Sequence, residues 1–229
     1  MTPRRARAVA GGAVCVALVI SGCTGASSPA PASAGPTSSA PAVSVPASDS
    51  VCGLDSVEMT GMFEQMPTDT SWEAIGASDA PTSEQMGPGL VDADGLRRCY
   101  ARTPAGAVLA ASNIVAMGAE PAMVRPMLER AVMPGPGQDV ALAALDAQIG
   151  STQVTVRYDL TAARLVSYDG TRALVDVGIA TTDQLYLSQI LTLEWSGGDW
   201  LVALTTDGQL GSAMGKVSSF AGYVPLREA

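Results

Sequence analysis

Apolar positions recur along this chain with two different periods, and the change of period near residue 150 divides it. From residue 107 the apolar side chains Ala107, Val108, Ala111, Ile114 and Val115 fall at helical spacing, and the stripe ends near Gly118. Thr103-Pro104 just ahead reads as an N-cap followed by proline at the first helical position, where its missing N–H costs nothing. Pro121 opens a second helical stretch through Met123, Val124, Met127, Leu128 and Ala131. Pro126 kinks or restarts it, and Met133-Pro134-Gly135-Pro136-Gly137 stops it. A third helix is expected from about Asp139 to Ile149.

Beyond that point the period falls from 3.6 to 2. Val154 to Tyr158 and Ala163 to Tyr168 are strand-like, and Asp169-Gly170 is a two-residue hairpin signal. In the next strand Ala173, Val175, Val177 and Ile179 alternate with Arg172, Leu174 and Asp176, giving one apolar and one mixed face. A strand from Tyr186 to Trp195 follows, joined through Gly197-Gly198 to another over Asp199 to Leu204. After Thr205 the pattern is glycine-rich and weak. Residues 51–100, broken by Pro67, Pro81 and Gly87-Pro88-Gly89, read as a loop-rich N-terminal cap in which Trp72 either packs on the main domain or marks an interface. The predicted fold is α+β: helices packed on a curved antiparallel sheet of about four strands, over residues 101–229.

The first fifty residues follow a different logic. Arg4, Arg5 and Arg7 precede an apolar run from Ala8 to Ile20, too short for a mature membrane span, and the run closes on Ile20-Ser21-Gly22-Cys23. This is the pattern of a bacterial lipoprotein signal over residues 1–22, with Cys23 the lipidation site; the alternative is an ordinary secretory signal with a chance cysteine. Two acyl chains matter because each buried methylene contributes about 0.8 kcal/mol and one chain holds only marginally. Residues 23–50 then form a lipidated N-terminus and an Ala/Ser/Pro tether whose only charge is Asp49. As a coil it spans about 30 Å, and as polyproline II about 80 Å. The expected location is the extracytoplasmic face of the bacterial cell membrane.

Charge narrows the partners. Of 13 basic and 22 acidic residues, three arginines and no acids leave with residues 1–22, so 10 basic face 22 acidic residues for a net charge of −12. Lys216 is the one lysine, which leaves no basic stripe for nucleic acid. With Cys15 removed and Cys23 lipidated, Cys52 and Cys99 remain. Export to an oxidising compartment predicts a disulfide between them, the alternative being two buried free thiols.

The chain has no histidine, which removes Ser-His-Asp and Cys-His mechanisms, histidine metal sites and the commonest general base. There is no GxSxG elbow and no GxGxxG fingerprint. Gly211 to Lys216 resembles a phosphate loop but has three residues between its glycines instead of four, and Val217 where a hydroxyl is needed. Asp92 and Asp94 beside Gly95 lack the rest of a calcium loop. Methionines 117, 123, 127 and 133 at helical spacing read as core filler. Tyr158, Asp159, Tyr168 and Asp176 lie on or beside strands and are the remaining candidates for pocket chemistry. No catalytic residue, cofactor or metal is expected.

The order of elements resembles the nuclear-transport-factor-2-like, or cystatin-like, cone. The run Arg98-Cys99-Tyr100-Ala101-Arg102-Thr103-Pro104-Ala105-Gly106, with Trp72, Ala80-Pro81, Gly87-Pro88-Gly89 and Gly222-Tyr223-Val224-Pro225, is similar to an uncharacterised family of actinobacterial lipoproteins often linked to integrative conjugative elements. The resemblance covers most of residues 52–225. It implies a fold and a context; taken with the lipoprotein signal, the long tether and the missing catalytic constellation, the expectation is a non-enzymatic, lipid-anchored protein-interaction domain with a protein partner, accessory to conjugation or a type IV-like secretion apparatus. The other expectation, from a different class, is a small-molecule-binding or catalytic domain with an apolar pocket.

Overall fold

The computed structural model describes residues 50–148, 157–183 and 185–227. Helix α1 (Pro104–Gly118) starts where Thr103 leaves the extended region and its Oγ1 accepts a hydrogen bond from the Gly106 N–H at 3.0 Å. Thirteen of its fifteen residues are buried, so α1 is an interior helix and not a surface helix with one apolar stripe. Its small residues allow this. A Cβ on Gly106 would lie 2.1 Å from the Ala101 carbonyl oxygen, and Ala107, Ala110 and Ala111 are fully or almost fully buried. The buried amide of Asn113 donates to the carbonyls of Pro81 and Leu109, both at 2.9 Å. Helix α2 (Pro121–Arg130) contains Pro126, and α3 (Pro136–Ala147) begins with proline at its first turn.

Against α1 lies an antiparallel sheet. Strand β5 (Tyr158–Tyr168) turns through Asp169-Gly170 into β6 (Arg172–Thr181), which pairs with β7 (Tyr186–Ser196), which pairs through the Gly197-Gly198 turn with β8 (Asp199–Val202). The inner face carries Ala173, Val175, Val177, Ile179, Leu191 and Leu193, all without solvent contact. Two short strands complete it: β9 (Gly215–Lys216) pairs with β7 at Leu187 and Ser188, and β10 (Val224–Pro225) pairs with β5 at Ala162 and Ala163. The sheet therefore has six strands, in the order β10-β5-β6-β7-β8 with β9 on β7.

This corrects the expected fold class. The described residues are dominated by a large six-stranded antiparallel sheet, with three helices, and not by helices packed on a curved sheet of about four strands. The segment expected to be a loop-rich cap carries two hairpins. Strands β1 (Ser71–Ile75) and β2 (Ser78–Thr82) pair around the Gly76-Ala77 turn, where Gly76 has φ +58°, and β3 (Leu90–Val91) pairs with β4 (Arg97–Arg98). Pro81 sits inside β2, and strands of two residues leave no alternation to detect.

The hairpin region is fastened to the sheet at one point in particular. Cys52 and Cys99 form a disulfide with Cα atoms 6.2 Å apart. The buried Asp199 carboxylate, at the start of β8, accepts from the N–H groups of Cys99 (2.6 Å), Tyr100 (2.9 Å) and Trp200 (2.8 Å). These bonds hold Cys99 in the left-handed region at φ +67°, unusual for a residue with a side chain. The Trp200 indole N–H adds a bond to the Ala101 carbonyl at 3.0 Å.

Candidate functional site

The sheet has a gap on the outer edge of β7, and the gap makes the candidate site. Strand β8 covers β7 only from Leu193 to Ser196, and β9 covers it only at Leu187 and Ser188. Between them the chain runs out as a loop from Ala203 to Met214. Thr205 shapes that loop: its Oγ1 donates to the Gln209 carbonyl at 2.9 Å and its hydroxyl oxygen accepts from the Gln209 N–H at 3.2 Å. Helix α3 holds the loop from behind, where a Cβ on Gly137 would come within 2.3 Å of the Thr205 carbonyl.

The space enclosed is a pocket of about 480 Å³, within the roughly 300–1,000 Å³ usual for small-molecule sites. The last turns of α1 form the roof with Ile114, Val115, Gly118 and Ala119, and Met127, Leu128 and Val132 from α2 and its exit close one side. The floor is Leu187, Gln189 and Leu191 of β7 with Val202 and Leu204, while Leu210 and Met214 come from the loop. Among the described residues no Asp, Glu, Lys or Arg lines it.

Three of the four polar side chains in the wall, those of Tyr158, Gln189 and Thr181, are turned to structural use, and the fourth, Gln209, is exposed on the loop. The Tyr158 hydroxyl donates to the Val115 carbonyl, and burial pushes its pKa well above the usual phenol range. Gln189 Nε2 donates to the carbonyls of Ile190 (3.1 Å) and Ser212 (2.8 Å), tying the loop to the sheet. Thr181 Oγ1 accepts from the Leu185 N–H at 3.2 Å. Such a wall offers contact area to an apolar guest.

A family model described as a domain of unknown function, DUF8175, matches residues 29–225. The chain belongs to this family. No curated protein and no solved structure matches it.

Within this DUF8175 chain the residues singled out from the sequence are dispersed. Cys23 lies outside the described residues. Tyr158 reaches the pocket wall, but Asp159 is exposed at the start of β5. Tyr168 packs its ring 5.7 Å from that of Trp200 and donates its hydroxyl to the Glu58 carbonyl. Asp176 points to the opposite face of the sheet, where Arg164 (3.0 Å) and the Tyr223 hydroxyl both donate to its Oδ2. Asp92 and Asp94 are ion-paired with Arg98 and Arg130. Among the described residues no group of three His, Cys, Asp or Glu side chains could hold a metal ion. Gly215-Lys216 is strand β9 and not a phosphate-cradling turn. Met117 and Met123 are core, whereas Met127 faces the pocket.

A wider and more open groove of about 900 Å³ runs between residues 64–72 and 224–227. Its aromatic surface is already covered, since the Arg227 guanidinium lies 3.8 Å over the Trp72 ring and pairs with Asp79.

Proposed function

We propose that the chain is a lipid-anchored, extracytoplasmic binding domain that carries out no chemistry and holds an apolar guest in the pocket beneath α1. The pocket carries this reading: about 480 Å³, bounded mostly by aliphatic side chains, with Tyr158 and Gln189 donating to backbone carbonyls and not to a guest. The anchor rests on Ile20-Ser21-Gly22-Cys23 and the tether behind it.

Nile red fluorescence on the full chain tests the pocket. A blue-shifted, saturable signal is expected, and Gly118→Trp should abolish it, because Gly118 lines the pocket and an added Cβ there meets nothing within 4 Å. A signal that survives Gly118→Trp in a folded protein overturns the assignment. The anchor is tested separately by labelling cells with a fatty-acid analogue, which should mark the wild type and not Cys23→Ala.

A second reading is supported by Leu90 and Val91, exposed side by side on the small hairpin. There the domain contacts a protein partner, and the actinobacterial resemblance supports an accessory of a conjugative or type IV-like secretion apparatus. Affinity capture from native membrane extract that recovers no partner from the wild type, or the same partner with Val91→Glu, argues against it.

A further inference from the structure

Resting on the apolar-guest reading, we propose that the guest is an anionic amphiphile with a flexible alkyl chain. The chain fills the pocket, and the headgroup lies at the mouth beside Lys216.

The wall chemistry selects the chain. Its apolar side chains are aliphatic or thioether, with Tyr158 the single aromatic ring, so the pocket offers dispersion contact without the flat faces that select ring systems. Met127 and Met214 adapt their shape readily, which suits a guest with many rotamers.

Strand register places the charge. Lys216 is directly opposite Leu187 in the antiparallel β7–β9 pair, and opposed residues share a face of the sheet. Leu187 lines the pocket, and so does Met214, two residues before Lys216 in the chain. Lys216 therefore stands on the pocket side of the sheet edge, next to Met214, which is 46% exposed at the rim. It is the sole lysine of the chain, is exposed, and its ammonium has no salt-bridge or hydrogen-bond partner among the described residues. In a molecule of net charge −12 outside residues 1–22, an uncommitted ammonium at the mouth of an apolar pocket is a local seat for an anion.

A carboxylate on a free fatty acid and the phosphate of a single-chain phospholipid share this chemistry. Displacement of Nile red from the full chain by dodecanoate, dodecanoyl lysophosphatidylglycerol and dodecanol separates the possibilities. One or both anionic amphiphiles should displace the dye, and which of them does so identifies the source. Lys216→Gln should weaken the anionic competitor about two- to fivefold, the size of one partly exposed ion pair, and leave dodecanol unchanged. Direct binding of each alkyl compound, followed by titration calorimetry without dye, should be lost in Gly118→Trp. Nile red bound but displaced by no alkyl compound would overturn the alkyl assignment while leaving the apolar pocket intact. Equal loss of dodecanol and dodecanoate binding in Lys216→Gln, or no loss of either, would overturn the headgroup assignment. Absence of Nile red binding would instead remove the apolar-guest reading beneath both.

Discussion

Two aspartates stabilise the fold in ways that titrate in opposite directions. Burial raises the pKa of Asp199, and the N–H groups of Cys99, Tyr100 and Trp200 pull it back only in part. Since the native state then takes up its proton at higher pH than the unfolded chain, the stability Asp199 contributes is full below the ordinary value of 3.8 and declines as pH rises through its folded pKa. Asp92 is the reverse. Its hydrogen bond to Arg98 lowers its pKa, so its contribution is present above 3.8 and is lost as pH falls through the lower folded value. Asp199→Asn replaces one acceptor oxygen by an NH₂ group facing a backbone donor, and should cost about 1–3 kcal/mol. Urea denaturation between pH 3 and 7 should show the wild-type advantage over Asp199→Asn shrinking as pH rises. The smaller advantage over Asp92→Asn should grow over the same interval, and equal slopes would show that these environments are misassigned.

At the scale of elements, what could be read in advance was local chemistry. Thr103-Pro104 starts α1 because cap and proline act within four residues, and the Asp169-Gly170 and Gly197-Gly198 turns each join the strands on either side of them. The two-residue strands β9 and β10 have no period to detect, so the sheet was expected to be smaller than it is, and the β3–β4 hairpin escaped for the same reason. An apolar pocket was one of two expectations, but its lining was illegible for a related reason: Leu187 and Lys216 meet only through the β9 register, and Gly118 contributes by lacking a side chain. The lone lysine in a glycine-rich tail was the one available signal. Cys52 and Cys99 were legible as a pair, but not their demand on Gly89. A Cβ at Gly89 would lie 2.3 Å from the Cys52 sulfur, which the disulfide prevents from moving away. The cross-link closes a loop worth about 4 kcal/mol in the chain-entropy model. Gly89→Ala should therefore destabilise the oxidised protein strongly and a Cys52→Ala protein much less. A double-mutant cycle measured by chemical denaturation checks the coupling, and strictly additive effects would mean that the two positions do not compete for space.

Across the whole molecule the two faces of the sheet have different tasks. The inner face holds α1 and the pocket, and the outer face is crossed by the C-terminal segment between β9 and β10. Phe220 lies on Gly178, where a Cβ would come within 2.5 Å of its ring, and its ring centroid is 5.2 Å from that of Tyr186 and 5.5 Å from that of Tyr223. Under this segment Asp176 is almost fully buried. Its Oδ2 accepts from Arg164 and Tyr223, and its Oδ1 has no hydrogen-bond partner among the described residues. A carboxylate so placed depends on the donors it has, and Tyr223→Phe removes one while keeping the ring that lies under the Arg164 guanidinium. The expected cost is about 1–3 kcal/mol of global stability. The hydroxyl is on the far side of the sheet from the pocket, so Nile red affinity should not change, although Met214 and Lys216 belong to the same stretch of chain. Denaturation midpoint and dye affinity measured on the same Tyr223→Phe preparation decide the matter. A stable variant with altered affinity would mean that the C-terminal segment sets the pocket mouth, and that guest binding and the outer-face contacts are one coupled system and not two independent ones.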